Sequence, residues 1–239
     1  MLLAIETSGR LLGTAVLDDE RLLSSYELVA GYPHAVELPG AVTRVLAAAN
    51  TTLHHLEAIA VDIGPGSFTG LRIGVVFVKA LAFPTKVPVV AVPSLDALAA
   101  NVPWSPLPIC ALLDAKQRNV YGALYHLDGA RPIRQTDDLL GPVDDLLSRV
   151  TQPTLFVGDG CMLYRDRILE RCPQAQFAPP ELWLPRAATV ARLGRERFLS
   201  GQRDDPATLV PKYLYPLDCS VRGPTRPTSV LPKPSPQVV

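Results

Sequence analysis

Much of what a metalloenzyme or a nucleic-acid binder relies on is missing from this chain. Its four cysteines, Cys110, Cys161, Cys172 and Cys219, are scattered without metal-ligand spacing. They read as reduced thiols, core or incidental. Of the four histidines, His34, His54, His55 and His126, no two stand four apart, so no helix can present an H-x-x-x-H metal clamp. The 23 basic residues equal the 23 acidic ones. There is no basic stripe of the kind a stand-alone nucleic-acid binder carries, and any RNA role would lean on a more basic partner. No run reaches the roughly 18 apolar residues of a membrane span. Met1 to Ile5 is apolar but short, and Glu6 follows at once, unlike a secretory signal. The expected compartment is the cytoplasm.

What is present is apolar and patterned. With 239 residues, 48% of them hydrophobic, the chain can bury a sizeable core as one large domain or two small ones. One stretch organises the rest: Gly64-Pro65-Gly66-Ser67-Phe68-Thr69-Gly70-Leu71-Arg72-Ile73-Gly74. An apolar strand, Ala58 to Ile63, precedes it, and an apolar run, Val75 to Phe83, follows and is expected to stop at Pro84. Gly64, Pro65 and Gly66 are turn formers. Ser67 is a suitable N-cap, because its hydroxyl can accept from an amide in the first turn. The reading is strand, tight glycine turn, helix. From Phe68 to Phe83 only Arg72 and Lys79 are charged, and they share one face. A surface helix has a wide polar side. This one must be covered on most sides, by its own domain or by a second protein. Gly70 and Gly74, four apart, leave room for another backbone.

A glycine turn between strand and helix raises phosphate binding. The Walker pattern is absent, since no Gly-Lys-Ser/Thr follows. The dinucleotide pattern fails because Thr69 stands where its third glycine belongs. A structural turn is the preferred reading, with an anion at a bare helix N-terminus as the alternative.

Taken in order, Leu2–Ile5, Gly13–Leu17 and Leu22–Val29 read as a three-strand meander. His34-Ala35-Val36-Glu37-Leu38-Pro39 opens a helix whose apolar stripe is Leu38, Val42, Val45, Leu46 and Ala49, with Pro39 expected in its first turn. After the glycine motif, Val87–Val92 reads as a strand, and Ser94 as the cap of a short helix, Leu95–Ala100. Pro103 to Pro108 looks like a hinge. Beyond it the pattern restarts. Ile109-Cys110-Ala111-Leu112-Leu113-Asp114 echoes Leu2-Leu3-Ala4-Ile5-Glu6, and Gly122–His126 echoes Gly13–Leu17. Helices are expected over Pro142–Val150, Leu163–Arg171 and Arg186–Leu199, and a strand over Leu155–Val157 before Gly158-Asp159-Gly160. Such an echo is what a duplicated α/β fold leaves. The expected architecture is therefore actin-like: two mixed-sheet lobes with flanking helices around a central cleft. The expected division is 1–102, 103–218, and a disordered tail at 219–239, where five of the last sixteen residues are proline.

Candidate chemistry is thin. Glu6 and Asp114 end equivalent strands, where actin-like kinases place carboxylates for Mg²⁺-nucleotide or base catalysis. The Asp114 turn contains no glycine, however, and carboxylates that bond turn amides are the plainer reading. His34 with Glu37 reads as a surface or interface pair. Ser67 does not meet the nucleophile-elbow spacing. Gly158-Asp159-Gly160 is a weak hint of nucleotide contact. A skeleton of a nucleotide enzyme without its ligands favours a binding subunit.

The glycine motif also resembles the signature of the bacterial TsaB (YeaZ) family. Leu3-Ala4-Ile5-Glu6-Thr7-Ser8 is similar to the family's Leu-Ala-Ile-Asp-Thr-Ser/Ala. His34 to Pro39 is similar to its His-Ser-Glu-x-Leu-Leu-Pro, with the Glu displaced by one. Asp114-Ala115-Lys116 with Val120-Tyr121, and Pro211-Lys212-Tyr213-Leu214, resemble two further family patterns. The resemblance implies a non-catalytic subunit of the tRNA threonylcarbamoyladenosine machinery, with no cofactor of its own. It implies pairing with the catalytic subunit TsaD, joined by the ATPase TsaE, with ATP or ADP only at an interface of the full complex. It reaches tRNA only through that complex. It places His34, Glu37, Leu38, Phe68, Arg72, Val75 and Val76 at or near the contact. Without TsaD, the same face could make a homodimer. The competing readings are a stand-alone actin-like ATPase or small-molecule kinase, and a peptidase.

Overall fold

Alternation along the first strand builds the first lobe. In β1 (Leu2–Glu6) every residue is buried, with Leu3 and Ile5 on one face of the sheet and Leu2 and Ala4 on the other. A strand covered on both faces sits in the middle of a sheet. In the computed structural model, which describes residues 1–29 and 34–215, β1 pairs antiparallel with β2 (Leu11–Asp18), and β2 with β3 (Arg21–Val29). The helix α1 (His34–Ala48) leads to β4 (Ala58–Gly64), which pairs parallel with β1. Then come α2 (Phe68–Thr85), β5 (Val89–Pro93) parallel to β4, and α3 (Ser94–Ala99). The first sheet runs β3-β2-β1-β4-β5.

The second lobe repeats this order. β6 (Ile109–Lys116), β7 (Asn119–Asp128) and β8 (Arg131–Arg134) form the antiparallel meander. A short β9 (Leu139–Gly141) pairs with β7, and α4 (Val143–Leu147) follows. Next are β10 (Leu155–Val157), parallel to β6, α5 (Gly160–Arg171), β11 (Gln176–Phe177), parallel to β10, and α6 (Ala187–Leu199). The sheet order is β8-β7-β6-β10-β11. The echo between Leu2–Glu6 and Ile109–Asp114 is thus two central strands in equivalent places, and the duplicated two-lobed arrangement is present.

Helices cover both faces. On one face of the first sheet, Leu38, Val42 and Val45 of α1 and Val75 and Val78 of α2 pack on Leu3, Ile5, Ile59 and Val61. On the other, Ala187, Val190, Ala191 and Leu193 of α6 pack on Leu2, Ala4, Ala58 and Ala60. So α6, beyond residue 103 in the chain, returns to the first sheet. The small residues set its distance: a Cβ on Gly194 would lie 2.4 Å from the Ala60 Cβ. Between the lobes lies α3, which offers Ala97 and Ala100 to the first sheet and Leu95 and Leu98 to the second.

Several local expectations change. Pro84 does not stop α2, which runs to Thr85 and ends on Lys86 in the left-handed region. Proline in a last turn costs little once other donors serve the carbonyls there. Thr85 Oγ1 donates to Leu81 O and the Lys86 amide to Ala82 O. Pro39 lies in the second turn of α1 rather than the first. Ser94 is not the cap of α3: it is buried at the first helical position and donates its hydroxyl to Asp62 Oδ1 at 2.5 Å. The 219–239 tail lies outside the described residues.

Candidate partner interface and inter-lobe cleft

The glycine motif is built to receive the turn that follows β1. Ser67 caps α2, its Oγ accepting from the Gly70 amide at 3.3 Å. The Ser67 amide donates to Ser8 O at 2.6 Å, and Thr7 Oγ1 donates to Gly70 O at 2.8 Å. Cβ atoms added to Gly66, Gly70 and Gly74 would fall 2.3 Å from Ser8 O, 2.0 Å from Thr7 O and 2.3 Å from Thr7 Oγ1. The close backbone that the Gly70–Gly74 spacing anticipated is therefore the chain's own. Gly64 takes φ +107°, beside a cis peptide to Pro65, and its missing Cβ leaves room for Lys212 O.

Beneath this turn lie two fully buried carboxyls. Glu6 Oε1 accepts from the amide and hydroxyl of Ser8, each at 2.6 Å. Asp62 Oδ1 accepts from the Gly64 amide and Ser94 Oγ. Their other oxygens, Glu6 Oε2 and Asp62 Oδ2, meet no donor, although each carboxyl counts the other among its hydrogen-bonding neighbours. Two facing acceptors are satisfied only if one keeps its proton. Burial first, and then the Asp62 charge, hold Glu6 well above the usual carboxylate range. Glu6 bonds the amide of its own turn, as the plainer reading expected, and faces Asp62 besides. Asp62 escaped the sequence reading, although it is the one carboxylate inside the apolar strand Ala58–Ile63.

Equivalent turns of the two lobes face each other across a cleft of about 780 Å³. Ser8, Arg10 and the start of α2 line one wall; Asp114, Lys116 and Asp159 line the other. Asp114 accepts from the Lys116 amide at 2.9 Å and pairs with its ammonium group. Asp159 accepts from the Asp114 amide at 3.0 Å and is raised, mainly by burial. No cluster of three or more His, Cys, Asp and Glu suited to a metal occurs among the described residues. Cys110, Cys161 and Cys172 share the second-lobe core, where burial pushes their thiols up, that of Cys161 to about 12.

The outer face of α2 is apolar and open. Val76 is 63% exposed, Phe83 50% and Phe68 47%, with Val36 of α1 at 70%. By length and composition alone α2 resembles a membrane span, yet its inner face packs on its own sheet. Of the seven residues the resemblance placed near a contact, Phe68, Arg72 and Val76 are on the exposed side, while His34 and Glu37 are half-buried at the start of α1. Leu38 (0% exposed) and Val75 (2%) are not on that face: helical spacing turns both into the first-lobe core. Arg72 is held in place, its guanidinium 3.9 Å above the Phe68 ring and its Nε donating to Tyr213 Oη at 3.0 Å.

Known proteins share this fold and sequence. The family model described as "TsaD: tRNA N6-adenosine threonylcarbamoyltransferase" matches residues 28–192. The protein TsaB of Bacillus subtilis, named for tRNA threonylcarbamoyladenosine biosynthesis, is 31% identical over 89% of this chain and 93% of its own length. TsaB of Escherichia coli is 27% identical over 89% and 94%. The solved structure of YeaZ from Pseudomonas aeruginosa superposes with a TM-score of 0.76 at 30% identity, covering 89% of this chain and 99% of that one. The transferase description thus fits the shared fold, while the relatives matched over nearly their whole length are TsaB proteins. The chain belongs to the TsaB (YeaZ) family, which is assigned to tRNA threonylcarbamoyladenosine biosynthesis.

Proposed function

We propose that this protein is a non-catalytic subunit of the machinery that makes threonylcarbamoyladenosine in tRNA, and that it supports the catalytic subunit TsaD by docking through the outer face of α1 and α2. The observation that carries the reading is the open apolar side of α2, Phe68, Val76 and Phe83, around the anchored Arg72, with Val36 of α1 also exposed. Contiguous exposed apolar surface of this kind marks interaction sites. The two carboxylates that a kinase would aim at Mg²⁺-nucleotide accept here from turn amides, Glu6 from Ser8 and Asp114 from Lys116. In this reading TsaE joins the assembled pair, nucleotide binds only where subunits meet, and tRNA is reached through the complex in the cytoplasm. A homodimer through the same side forms when TsaD is absent.

Co-purification with TsaD tests the reading. Val76→Glu places an unpaired carboxylate on this apolar side, which costs an interface about 2–5 kcal/mol, or roughly a 30-fold or greater loss of affinity. The double variant Arg72→Glu with Val76→Glu should release TsaD while both partners stay folded. Arg72 also bonds Tyr213, so the single Val76→Glu variant is the cleaner probe. Unchanged co-elution of both variants would remove this face from the interface. Brisk ATP hydrolysis by the isolated protein would replace the reading with a stand-alone ATPase or kinase.

A further inference from the structure

The segment after α6 touches both lobes in quick succession. It starts on the first lobe. Asp204 pairs with the edge of β5, its amide donating to Val89 O and its Oδ2 accepting from the Ala91 amide. Leu209 is buried in the first-lobe core. The Lys212 amide donates to Ile63 O at 2.7 Å, and its carbonyl lies over Gly64. The Tyr213 ring packs 4.9 Å from Phe68 and takes the Arg72 hydrogen bond. The segment then crosses the cleft. Lys212 Nζ pairs with Asp138 Oδ2 at 2.6 Å, where that carboxylate is almost wholly buried beside Arg134. Leu214 and Tyr215 pack on the second-lobe core. Tyr215 Oη accepts from Asn119 Nδ2 at 3.1 Å and donates to Lys116 O at 3.4 Å.

We propose that residues 209–215 are a latch that holds the two lobes in one relative position and closes one side of the cleft. Among the described residues the lobes are also joined by the 100–108 connection, by α3, by the passage into α6, and by α6 itself, where Arg192 donates to Ala130 O and Glu196 pairs with Arg131. A two-lobed molecule with a long cleft moves by hinge or shear about such crossings. The latch adds a further restraint beside the cleft, which residues 212–215 line. Its contacts are of two kinds, which makes it separable. Tyr213 grips Phe68 and Arg72 at the start of α2; the side chains of Lys212, Leu214 and Tyr215 grip the turn between β6 and β7 and the Asp138 loop. Releasing either end opens the cleft without removing any strand or helix. This holds for the isolated chain and does not depend on the docking reading.

Hydrogen exchange on two truncations tests it. A chain ending at Tyr215 keeps the latch and should exchange like the full chain. A chain ending at Val210 lacks it. Amides on both cleft walls, Ser67 and Gly70 on one side and Asp114 and Lys116 on the other, should then exchange on the order of tenfold faster, while β1 and β6 keep their protection. The pair Tyr213→Phe with Tyr215→Phe removes only the hydroxyl bonds and should shift the same amides by a smaller factor. Unchanged exchange at the two walls would overturn the latch. So would a uniform acceleration through both sheets, because that would make the segment a general stabiliser.

Discussion

Gly74→Ala should unfold this protein more easily, and a second, normally damaging substitution should repair it. In a free helix the change is favourable by about 1 kcal/mol. Here the new methyl would sit 2.3 Å from Thr7 Oγ1, with the Thr7 Cβ at 3.5 Å. Thr7 is fully buried, and its hydroxyl donates to Gly70 O. Relieving the clash means rotating that hydroxyl away, which leaves a buried donor unpaired at about 1–3 kcal/mol. The residual overpacking costs a further 1–3 kcal/mol or so. After the helix gain, the net loss is about 1–5 kcal/mol, or roughly 2–20 °C in melting temperature for a chain of this size. Thr7→Ala alone loses a hydrogen bond and a buried methyl, about 2 kcal/mol. In the double variant the clashing oxygen is gone and the nearest neighbour is at ordinary contact distance. It should be no less stable than Thr7→Ala, so the singles fail to add by at least the Gly74→Ala loss, about 1–5 kcal/mol. Gly70→Ala is the control: its Cβ would strike Thr7 O, a backbone atom 2.0 Å away, and Thr7→Ala should not rescue it. Urea unfolding followed by circular dichroism measures all six proteins, the unchanged chain, three single variants and two doubles. Additivity within about 0.5 kcal/mol for the Gly74 pair would refute the packing argument.

The buried carboxyl pair predicts a pH slope. Glu6 keeps its proton more tightly folded than unfolded, so unfolding releases a proton above the ordinary carboxylate range. Its contribution to stability is therefore largest in acid and declines as pH rises through that window. Glu6→Gln, whose amide can donate to Asp62, should flatten the decline; equal slopes from about pH 5 to 8 would count against a shared proton. Asp96 accepts from Tyr125 Oη, Arg134 and Arg197, and Asp96→Ala leaves the Tyr125 hydroxyl without its acceptor and takes one partner from each of two partly buried guanidinium groups, which keep Asp138 and Ala91 O. A loss of roughly 3 kcal/mol is expected in thermal unfolding, and a change below about 0.5 kcal/mol would show that solvent already screens them.

Pattern carried a large part of the architecture. The meander Leu2–Val29, the strand–turn–helix at Gly64, the Ser67 cap and the restart at Ile109 were all legible, because periodicity and turn chemistry are local. The proline effects were less so. Pro84 and Pro39 sit inside helices whose packing outweighs a missing bond, and the end of α2 is held by Thr85 Oγ1 and the Lys86 amide. The site divided along the same line. Residues chosen by resemblance split between the open face, which holds Phe68, Arg72 and Val76, and the core, which holds Leu38 and Val75. A motif match records which residues lie on a helix, not which way each one points.

By itself, the amino-acid order determined most of the element sequence, though not the short β9 and β11, together with the duplication and the family, since these rest on spacing along the chain. Tertiary structure alone decided three things. Gly70 and Gly74 admit the protein's own Thr7; α6 returns to the first sheet over a bed of alanines; and Tyr213 meets Arg72 across 141 positions. Each is a contact between residues far apart in sequence, set by how closely two backbones approach once the core is packed. No local pattern encodes that distance.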